Sequence, residues 1–279
     1  MLAIDAYRQG NLKVVRGLSH YDECTLGLSL QALERMDAEF VEAYVASGLS
    51  PMCNSFNACL DFAVDCGADI LFHTASDVIV DRMALIRLLE TMDLEENYLA
   101  IAKGYDPMFG PGASVGIWIW NMRIVGRDYR FRDEFKQDLR LCERIEEGTG
   151  KSRVYTPREM QLGYHHPIWT AQDVYRKFAY SYPKYGERRK KDMRDFLTSG
   201  LARNVNNKAL MAGQRALIRA ESAGLPDGSK NVSEIDIAFQ SDTADLHLDG
   251  SEYYVRHQAF KSYAKRVMNS FVDCVCEDE

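Results

Sequence analysis

Short apolar runs alternate with helical patterns over the first two-thirds of the chain, and this alternation constrains the fold more than any other feature. Segments typical of buried strands are each followed, after a short gap, by an amphipathic segment. Such an order is typical of a mostly parallel sheet covered by helices, so the sequence predicts an α/β fold. Strands are expected at 12–16, 39–45, 69–73, 98–102, 117–120 and 153–155, and helices at 25–36, 54–66, 82–92 and 133–146.

Length and composition bound the number of domains. A chain of 279 residues with 46% apolar residues can build one large α/β domain with a helical appendage. The composition changes after about Pro183, so we predict a sheet domain over 1–182 and a mainly helical extension over 183–279, with a loop at 224–229. The basic stretch 187–194 is either a solvated helix or a basic edge for a phosphate-bearing or membrane-surface acceptor.

Charge and cysteine content exclude several functional classes. The 34 basic and 41 acidic residues give a net charge of −7, so no nucleic-acid partner is expected. No apolar run approaches the roughly 18 to 20 residues of a membrane span, and the first residues lack a signal-peptide pattern, which predicts a cytoplasmic protein. The seven cysteines form no C-x-x-C pair and are expected to be free thiols. Cys274 and Cys276 alone would make an incomplete metal site.

A polar turn that contains an acid follows the strand predicted at 69–73. In open α/β sheets the ligand lies beyond the carboxyl ends of the strands, which puts Ser76 and Asp77 at the site. Mg²⁺ or Mn²⁺ takes oxygen ligands and needs few carboxylates when phosphates supply the rest. Asp77 is therefore the candidate ligand, with Ser76 as a weaker oxygen donor. The alternative is that Asp77 only caps the following helix.

The helix predicted at 133–146 begins with acidic residues. Asp138 falls near its start, where the helix dipole favours an anion. A carboxylate in this position could accept the proton of a sugar or lipid hydroxyl as that hydroxyl attacks, so Asp138 is the candidate base. The alternative is an ordinary charged helix start.

Two further motifs fall in segments predicted to be loops. The glycine-rich stretch 110–116 lacks the strand-to-helix setting of a dinucleotide fingerprint and the Lys-Ser/Thr of a P-loop, so both are excluded. Its glycines would instead let the backbone approach a ligand. His165 and His166 are adjacent, and one imidazole could bind a metal, although such pairs also serve simply as hydrogen-bonding groups.

Taken in order over 12–166, these motifs resemble those of the GT-A glycosyltransferases, particularly the large inverting family two. The helix that carries Asn57 and the segment 70–79 look like the Asn-bearing helix and the Asp-x-Asp segment of that family. The pair Gln137-Asp138 is similar to its Glu-Asp motif, whose Asp serves as the base. The resemblance implies a GT-A sheet, Rossmann-like and mostly parallel, flanked by helices.

The resemblance also implies a metal ligand and donor contacts. His165 or His166 falls where such enzymes place a metal-binding histidine, and the segment from Gly112 to Gly116 falls where they place an acceptor loop. The candidates for contacts near the base and ribose are Arg16 and Glu42. The full set expected to contact the donor is Arg16, Glu42, Asn57, Ser76, Asp77, Gly112 and Gly116.

The implied function is transfer of a sugar from a nucleoside diphosphate sugar, with UDP favoured, to an acceptor hydroxyl of a saccharide or lipid. Mn²⁺ or Mg²⁺ at Asp77 and a histidine would neutralise the leaving diphosphate, and Asp138 would deprotonate the acceptor, with inversion at the anomeric carbon. The chain departs from the family where Thr74-Ala-Ser76 replaces the first carboxylates of Asp-x-Asp. A catalytically inactive nucleotide-binding protein and a nucleotidyltransferase are therefore kept as alternatives.

Overall fold

An eight-stranded sheet organises the residues that this computed structural model describes, 1–223 and 230–248. The strand order is β2-β1-β3-β6-β5-β8-β4, with β7 on the side of β5. β1 pairs in parallel with β2 and β3, whereas β6 runs antiparallel to both β3 and β5. The strands are β1 (Val14–His20), β2 (Glu42–Ser47), β3 (Ile70–Ala75), β4 (Val78–Val80), β5 (Asn97–Asp106), β6 (Gly110–Asn121), β7 (Ser152–Tyr155) and β8 (Gly163–His165). The predicted α/β class is confirmed.

Helices cover both faces of the sheet because side chains alternate along its strands. On β1, Val14 and Leu18 belong to one apolar core, and Val15 belongs to the other. The first core lies under α1, α2 and α4, and the second lies under α3 and α6. The helices of the sheet region are α1 (Ala3–Arg8), α2 (Leu26–Glu34), α3 (Met52–Asp65), α4 (Ala84–Thr91), α5 (Met122–Val125) and α6 (Gln137–Thr149).

A third apolar core is built from the helices that follow β8. It includes Trp169 at its start and Leu246 at its end, and α7 packs closely on α10 because Gly213 has no side chain. A Cβ at Gly213 would lie 2.6 Å from Val174 Cγ1. These elements are α7 (Ala171–Arg176), a π-helical turn (Lys177–Ser181), α8 (Tyr182–Lys184), α9 (Glu187–Arg203), α10 (Lys208–Ser222), α11 (Val232–Asp242) and a 3₁₀ turn (Ala244–Leu246).

The helical packing therefore begins near Trp169, and the division of the chain at residue 183 stays a prediction. The predicted loop at 224–229, Cys274 and Cys276 lie outside the described residues. Among the helices that the structure describes, none has the length and apolar character needed to cross a membrane.

The glycine-rich stretch 110–116 is not the loop that we expected. It forms the first half of β6, a 12-residue strand, and pairs antiparallel with β5. Two register shifts interrupt this pairing, and Gly110, Gly112 and Gly116 all have positive φ. Glycine adopts that conformation without strain, so the glycines allow the strand to continue through its irregularities.

Candidate functional site

One edge of the sheet gathers the carboxyl ends of β1, β3 and β5, as expected for strands that run in the same direction. Asp77 lies two residues beyond the end of β3, and Asp106 is the last residue of β5. His165 ends β8, which pairs with both β4 and β5 and so reaches the same edge. Tertiary pairing therefore brings together groups that lie far apart in the sequence.

Asp77 is the centre of this cluster. The Nε2 atoms of His165 and His166 each lie 3.3 Å from its Oδ2. Its Oδ1 is buried and has no hydrogen-bond partner among the described residues. Burial by itself would raise the pKa of Asp77, but the imidazoles of His166 and His165 outweigh burial and hold that pKa far below its usual value. Asp77 is thus an anion with one oxygen still free to bind a ligand.

The pKa values of the two histidines shift in opposite directions because only one ring lies between two carboxylates. His165 places Nδ1 at 2.7 Å from Asp106 Oδ2 while its Nε2 faces Asp77. Burial and Lys177 lower the pKa of His165, yet the two carboxylates outweigh them and the net shift is upward. The pKa of His166 is well below its ordinary value, first because of burial and then because of His165. The two shifts run in opposite directions, so His165 accepts a proton more readily than His166 does.

The backbone fixes His166 beside the carboxylate. Its N–H donates to the Asp77 carbonyl oxygen at 2.7 Å, and its φ of 49° lies in the left-handed region. The indole Nε1 of Trp169 donates to the His166 carbonyl at 2.5 Å. The first bond joins the turn after β8 to the turn after β3, and the second lies within the turn after β8. The imidazole is therefore held before any ligand arrives.

The donor set fits a divalent cation. One ligand atom from each of Asp77, His165 and His166 can be chosen so that all lie within 4.8 Å of one another. The unpartnered Asp77 Oδ1 is the kind of orphaned buried oxygen that a cation would satisfy. Asp106 supports the ring of His165 from behind, as carboxylates commonly do for metal-binding histidines. Because Mg²⁺ takes oxygen ligands, the two imidazoles suit a transition-metal ion better than Mg²⁺.

Ser76 is adjacent to Asp77 but turns inward. Its hydroxyl donates to Glu23 Oε2 at 2.7 Å and lies 3.1 Å from His20 Nδ1. The backbone carbonyl of Ser76 accepts bonds from the hydroxyls of Thr25 and Ser29 on the segment after β1. Ser76 thus fixes the turn that carries Asp77, and its predicted contact with a donor stays a prediction.

A cleft with basic walls opens in front of the cluster. We call it the histidine cleft; it has a volume of about 150 Å³. Its basic side chains come from the helical part of the chain: Arg176, Lys177, Lys184 and Lys230. Among the described residues three carboxylates also line it, those of Glu23, Asp77 and Asp173. Burial lowers the pKa of Lys230, while Glu23 and Asp77 oppose that shift. Cations that face a buried carboxylate and two imidazoles suit a ligand that carries several negative charges.

A second cavity, the middle cleft, joins Asp77 to Asp138. Both carboxylates line it, together with His165, Gly116 and Trp118, and its volume is about 190 Å³. Asp138 lies in the first turn of α6, as predicted, and its Oδ1 accepts a bond from Lys184 Nζ at 2.8 Å. Of the predicted residues, the fold thus brings Asp77, Gly116, Asp138 and the two histidines to one continuous site.

Four of the residues that were predicted to contact the sugar donor lie away from this site. Arg16 is in the middle of β1 with its guanidinium 5.4 Å from the centre of the Phe40 ring, and Glu42 begins β2 at the edge opposite to the carboxyl ends. The side-chain amide of Asn57 donates to the Phe131 carbonyl at 2.9 Å and accepts a bond from the Phe131 N–H at 2.8 Å. At Gly112 a Cβ would lie 2.2 Å from Arg158 Cγ. None of the four lines the histidine or middle cleft.

Glu23, Asp106 and the basic side chains of the histidine cleft were not predicted from the sequence. Asp106 ends β5 and Glu23 follows β1, so the rule that led to Asp77 would have found both. Lys177 and Lys230 carry no such local signal. They reach the site because the helical part packs against the sheet edge: Met52 N–H, for example, donates to the Lys230 carbonyl at 3.0 Å.

The comparisons with known proteins give similarity in structure only. No protein-family profile and no curated protein matches the sequence. The chain is similar to a fragment of S. aureus TarS in complex with UDP, with a TM-score of 0.44 and 13% identity over 87% of this chain and 98% of that chain. It is also similar to glucosyl-3-phosphoglycerate synthase from Mycobacterium tuberculosis in complex with Mn²⁺, UDP-glucose and phosphoglyceric acid. There the TM-score is 0.40 and the identity 11%, over 58% of this chain and 74% of that chain.

Proposed function

We propose that this protein is a GT-A-type glycosyltransferase that takes a sugar from a nucleoside diphosphate sugar, with UDP favoured. The observation that carries the proposal is the buried carboxylate of Asp77, which has one free oxygen and faces two imidazoles at the carboxyl end of β3. It lies between a cleft with basic walls and a second carboxylate at Asp138. The diphosphate of a donor needs the basic side chains of this cleft, and transfer to a hydroxyl needs the second carboxylate.

The diphosphate would lie in the histidine cleft. Lys177 is the strongest candidate for a direct contact, because its ammonium is 3.9 Å from the nearest Asp106 oxygen and so has only a loose ion pair there. Arg176, by contrast, donates two bonds to Asp236, at 2.7 and 2.6 Å. It is therefore committed to holding α11 against α7. Lys230 adds a further, partly buried basic side chain to the lining of this cleft.

Asp77, His165 and His166 would hold Mn²⁺ in preference to Mg²⁺. When bound, the ion would neutralise charge that develops on the leaving diphosphate. The protein's own contribution is positional: Asp106 orients His165, and Ser76 fixes the turn that carries Asp77. Both arrangements exist in the protein before a ligand binds, so little reorganisation is needed at the site.

Asp138 is the proposed base. The acceptor hydroxyl would enter the middle cleft, its oxygen would form a bond to the anomeric carbon, and the bond from that carbon to the diphosphate oxygen would break. The diphosphate leaves with the bonding electrons, and the hydroxyl proton passes to Asp138. Of the carboxylates that line the middle cleft, Asp77 is engaged with the histidines, so a covalent sugar intermediate is disfavoured and inversion is proposed.

Calorimetry tests this assignment. UDP and GDP are titrated into the protein with and without Mn²⁺, and the tighter case is repeated with Asp77→Ala and Asp138→Asn. We expect UDP to bind in an Mn²⁺-dependent way, Asp77→Ala to abolish this binding, and Asp138→Asn to retain it. If neither nucleoside diphosphate binds the wild-type protein, the glycosyltransferase proposal is wrong.

A catalytically inactive nucleotide-binding protein is the second candidate. Two observations favour it. The turn before Asp77 has Ser76 in place of an acid, and Asp138 already forms an ion pair with Lys184. It predicts UDP binding without Mn²⁺ and no hydrolysis of a UDP-sugar. A nucleotidyltransferase is less favoured, because the turn after β1 carries Asp22 and Glu23 instead of the basic residues that a triphosphate needs.

A further inference from the structure

A third cavity extends from the middle cleft, away from the histidines. It is larger, about 400 Å³, and we call it the tryptophan cleft because Trp118 and Trp120 line it. Asp138, Gly116, Trp118 and Lys184 belong to both cavities, so the two are continuous. If Asp138 is the base, the acceptor has to lie on this side of it.

The outer part of the tryptophan cleft is basic. Lys103 and Arg189 line it, and Arg158 lies close enough to interact with Lys103. Among the described residues none of these three cations forms an ion pair with a carboxylate. The Lys103 ammonium instead donates to Ser114 Oγ at 3.0 Å and lies 4.4 Å from the centre of the Tyr155 ring. The rim of the cleft therefore has an excess of positive charge.

Aromatic rings and a glycine hold these cations in place. The Arg189 guanidinium lies 5.2 Å from the centre of the Phe109 ring and 5.1 Å from that of Tyr185. The stem of Arg158 crosses Gly112 in space that a Cβ would fill. Burial lowers the pKa of Lys103 first, and the charges of Arg189 and Arg158 lower it further. Like charges held together in this way repel one another until an anion binds.

We propose that the acceptor carries a phosphate group, which Lys103 and Arg189 bind while the acceptor hydroxyl meets Asp138. This inference rests on the proposed function and specifies its acceptor. Trp118 supplies an aromatic face for a sugar ring or an acyl stem between the two ends. A neutral saccharide would leave the cations of the rim unpaired. The phosphate can belong to a soluble sugar phosphate or to a phospholipid headgroup, which have the same charged chemistry.

The test uses glucose 6-phosphate as a soluble probe and glucose as its neutral counterpart. Calorimetry at physiological ionic strength is run with and without UDP and Mn²⁺ on the full chain. The test variant is Lys103→Gln with Arg189→Gln. The matched control is Arg188→Gln with Lys191→Gln, which removes the same charge from exposed positions of α9 that do not line the cleft. A second arm measures cosedimentation with vesicles that contain phosphatidylglycerol, against vesicles of phosphatidylcholine only.

We expect glucose 6-phosphate to bind at least about tenfold more tightly than glucose, the test variant to lose at least about tenfold in affinity, and the control to lose less than twofold. Variant-sensitive binding to the anionic vesicles alone would also support the proposal and would identify a lipid source. The proposal is overturned if the substitutions at Lys103 and Arg189 weaken neither the binding of glucose 6-phosphate nor the binding to anionic vesicles. It is also overturned if the control variant loses as much affinity as the test variant. Failure of UDP to bind, with variant-sensitive phosphate binding intact, would instead contradict the glycosyltransferase assignment alone.

Discussion

The carboxylate of Asp106 lies 2.7 Å from Nδ1 of His165. The second nitrogen of the same ring faces Asp77, so the three side chains form a line from the end of β5 to the turn after β3. A carboxylate at Nδ1 favours the tautomer with its proton on that atom, which leaves Nε2 able to bind a metal ion. The hydrogen bond thus couples a buried strand end to the ligand that faces the cleft.

Asp106→Asn should weaken Mn²⁺ binding by about 10-fold to 100-fold. The amide oxygen can still accept the bonds that Asp106 Oδ1 receives from the N–H groups of Met108 and Phe109, so the local turn should persist. The amide nitrogen, however, would donate to His165 Nδ1 and move the ring proton to Nε2. Calorimetry with Mn²⁺ measures the effect, with Asp65→Asn on the exposed end of α3 as the control. Unchanged Mn²⁺ affinity in Asp106→Asn would argue against a metal at this site.

Asp138→Asn should slow the hydrolysis of UDP-glucose by water by about 10²-fold to 10⁴-fold, because a general base typically contributes that much. Hydrolysis without an added acceptor isolates the role of Asp138, because water takes the place of the acceptor hydroxyl. Glu147→Gln removes an exposed carboxylate from the same helix and should leave the rate unchanged. Equal rates in Asp138→Asn and the wild-type protein would remove Asp138 from the mechanism.

The sequence was informative where the position of a side chain follows directly from a local pattern. Asp77 follows a buried strand and Asp138 begins a helix, and both positions are visible from a few neighbouring residues. The same patterns predicted six of the eight strands and four of the six helices that the structure describes in the sheet region, with most ends within a few residues of those observed. The glycine-rich stretch was misread because its glycines mark irregularities of a strand instead of a loop.

The remaining parts of the site depend on contacts between distant segments. Lys177 and Lys230 reach the histidine cleft only because helices beyond β8 pack on the sheet edge. Arg16 shows the converse: its place in β1 was predicted, but the pleat turns it toward Phe40. The direction of one side chain from a strand depends on register and face, and these are set by the partners of the strand.

Asn57→Ala tests whether Asn57 binds the nucleotide or stabilises the fold. The side chain makes two hydrogen bonds to the backbone of Phe131, the residue that leads toward α6. Their loss leaves two backbone groups without partners and should lower the free energy of unfolding by about 1–3 kcal/mol, while UDP affinity stays the same. Urea denaturation and calorimetry measure the two effects. Asn54→Ala, an exposed position on the same helix, is the control, with a smaller loss expected. A loss of UDP affinity at unchanged stability would instead support the predicted nucleotide-binding role of Asn57.

His73 should make the protein less stable in acid. Its imidazole is buried on β3 with Nε2 at 2.8 Å from Ser19 Oγ, and burial lowers its pKa to about 3. In the unfolded chain the pKa of histidine is about 6.5, so below that pH the unfolded state binds a proton that the folded state rejects. The contribution of His73 to stability is complete above pH 6.5 and is lost as the pH falls from 6.5 toward 3, by about 1.4 kcal/mol per pH unit.

Urea denaturation of the wild-type protein and of His73→Gln between pH 7 and pH 4 measures the contribution of His73. It is the difference between the two proteins in how steeply the free energy of unfolding changes with pH. The wild-type free energy of unfolding should fall more steeply with decreasing pH than that of His73→Gln, because the variant lacks the titrating group. His247→Gln, at an exposed position, should keep the wild-type slope. Parallel curves for the wild-type protein and His73→Gln would mean that the folded protein can protonate His73 at little cost, which a ring enclosed by Phe56 and Trp118 should not allow.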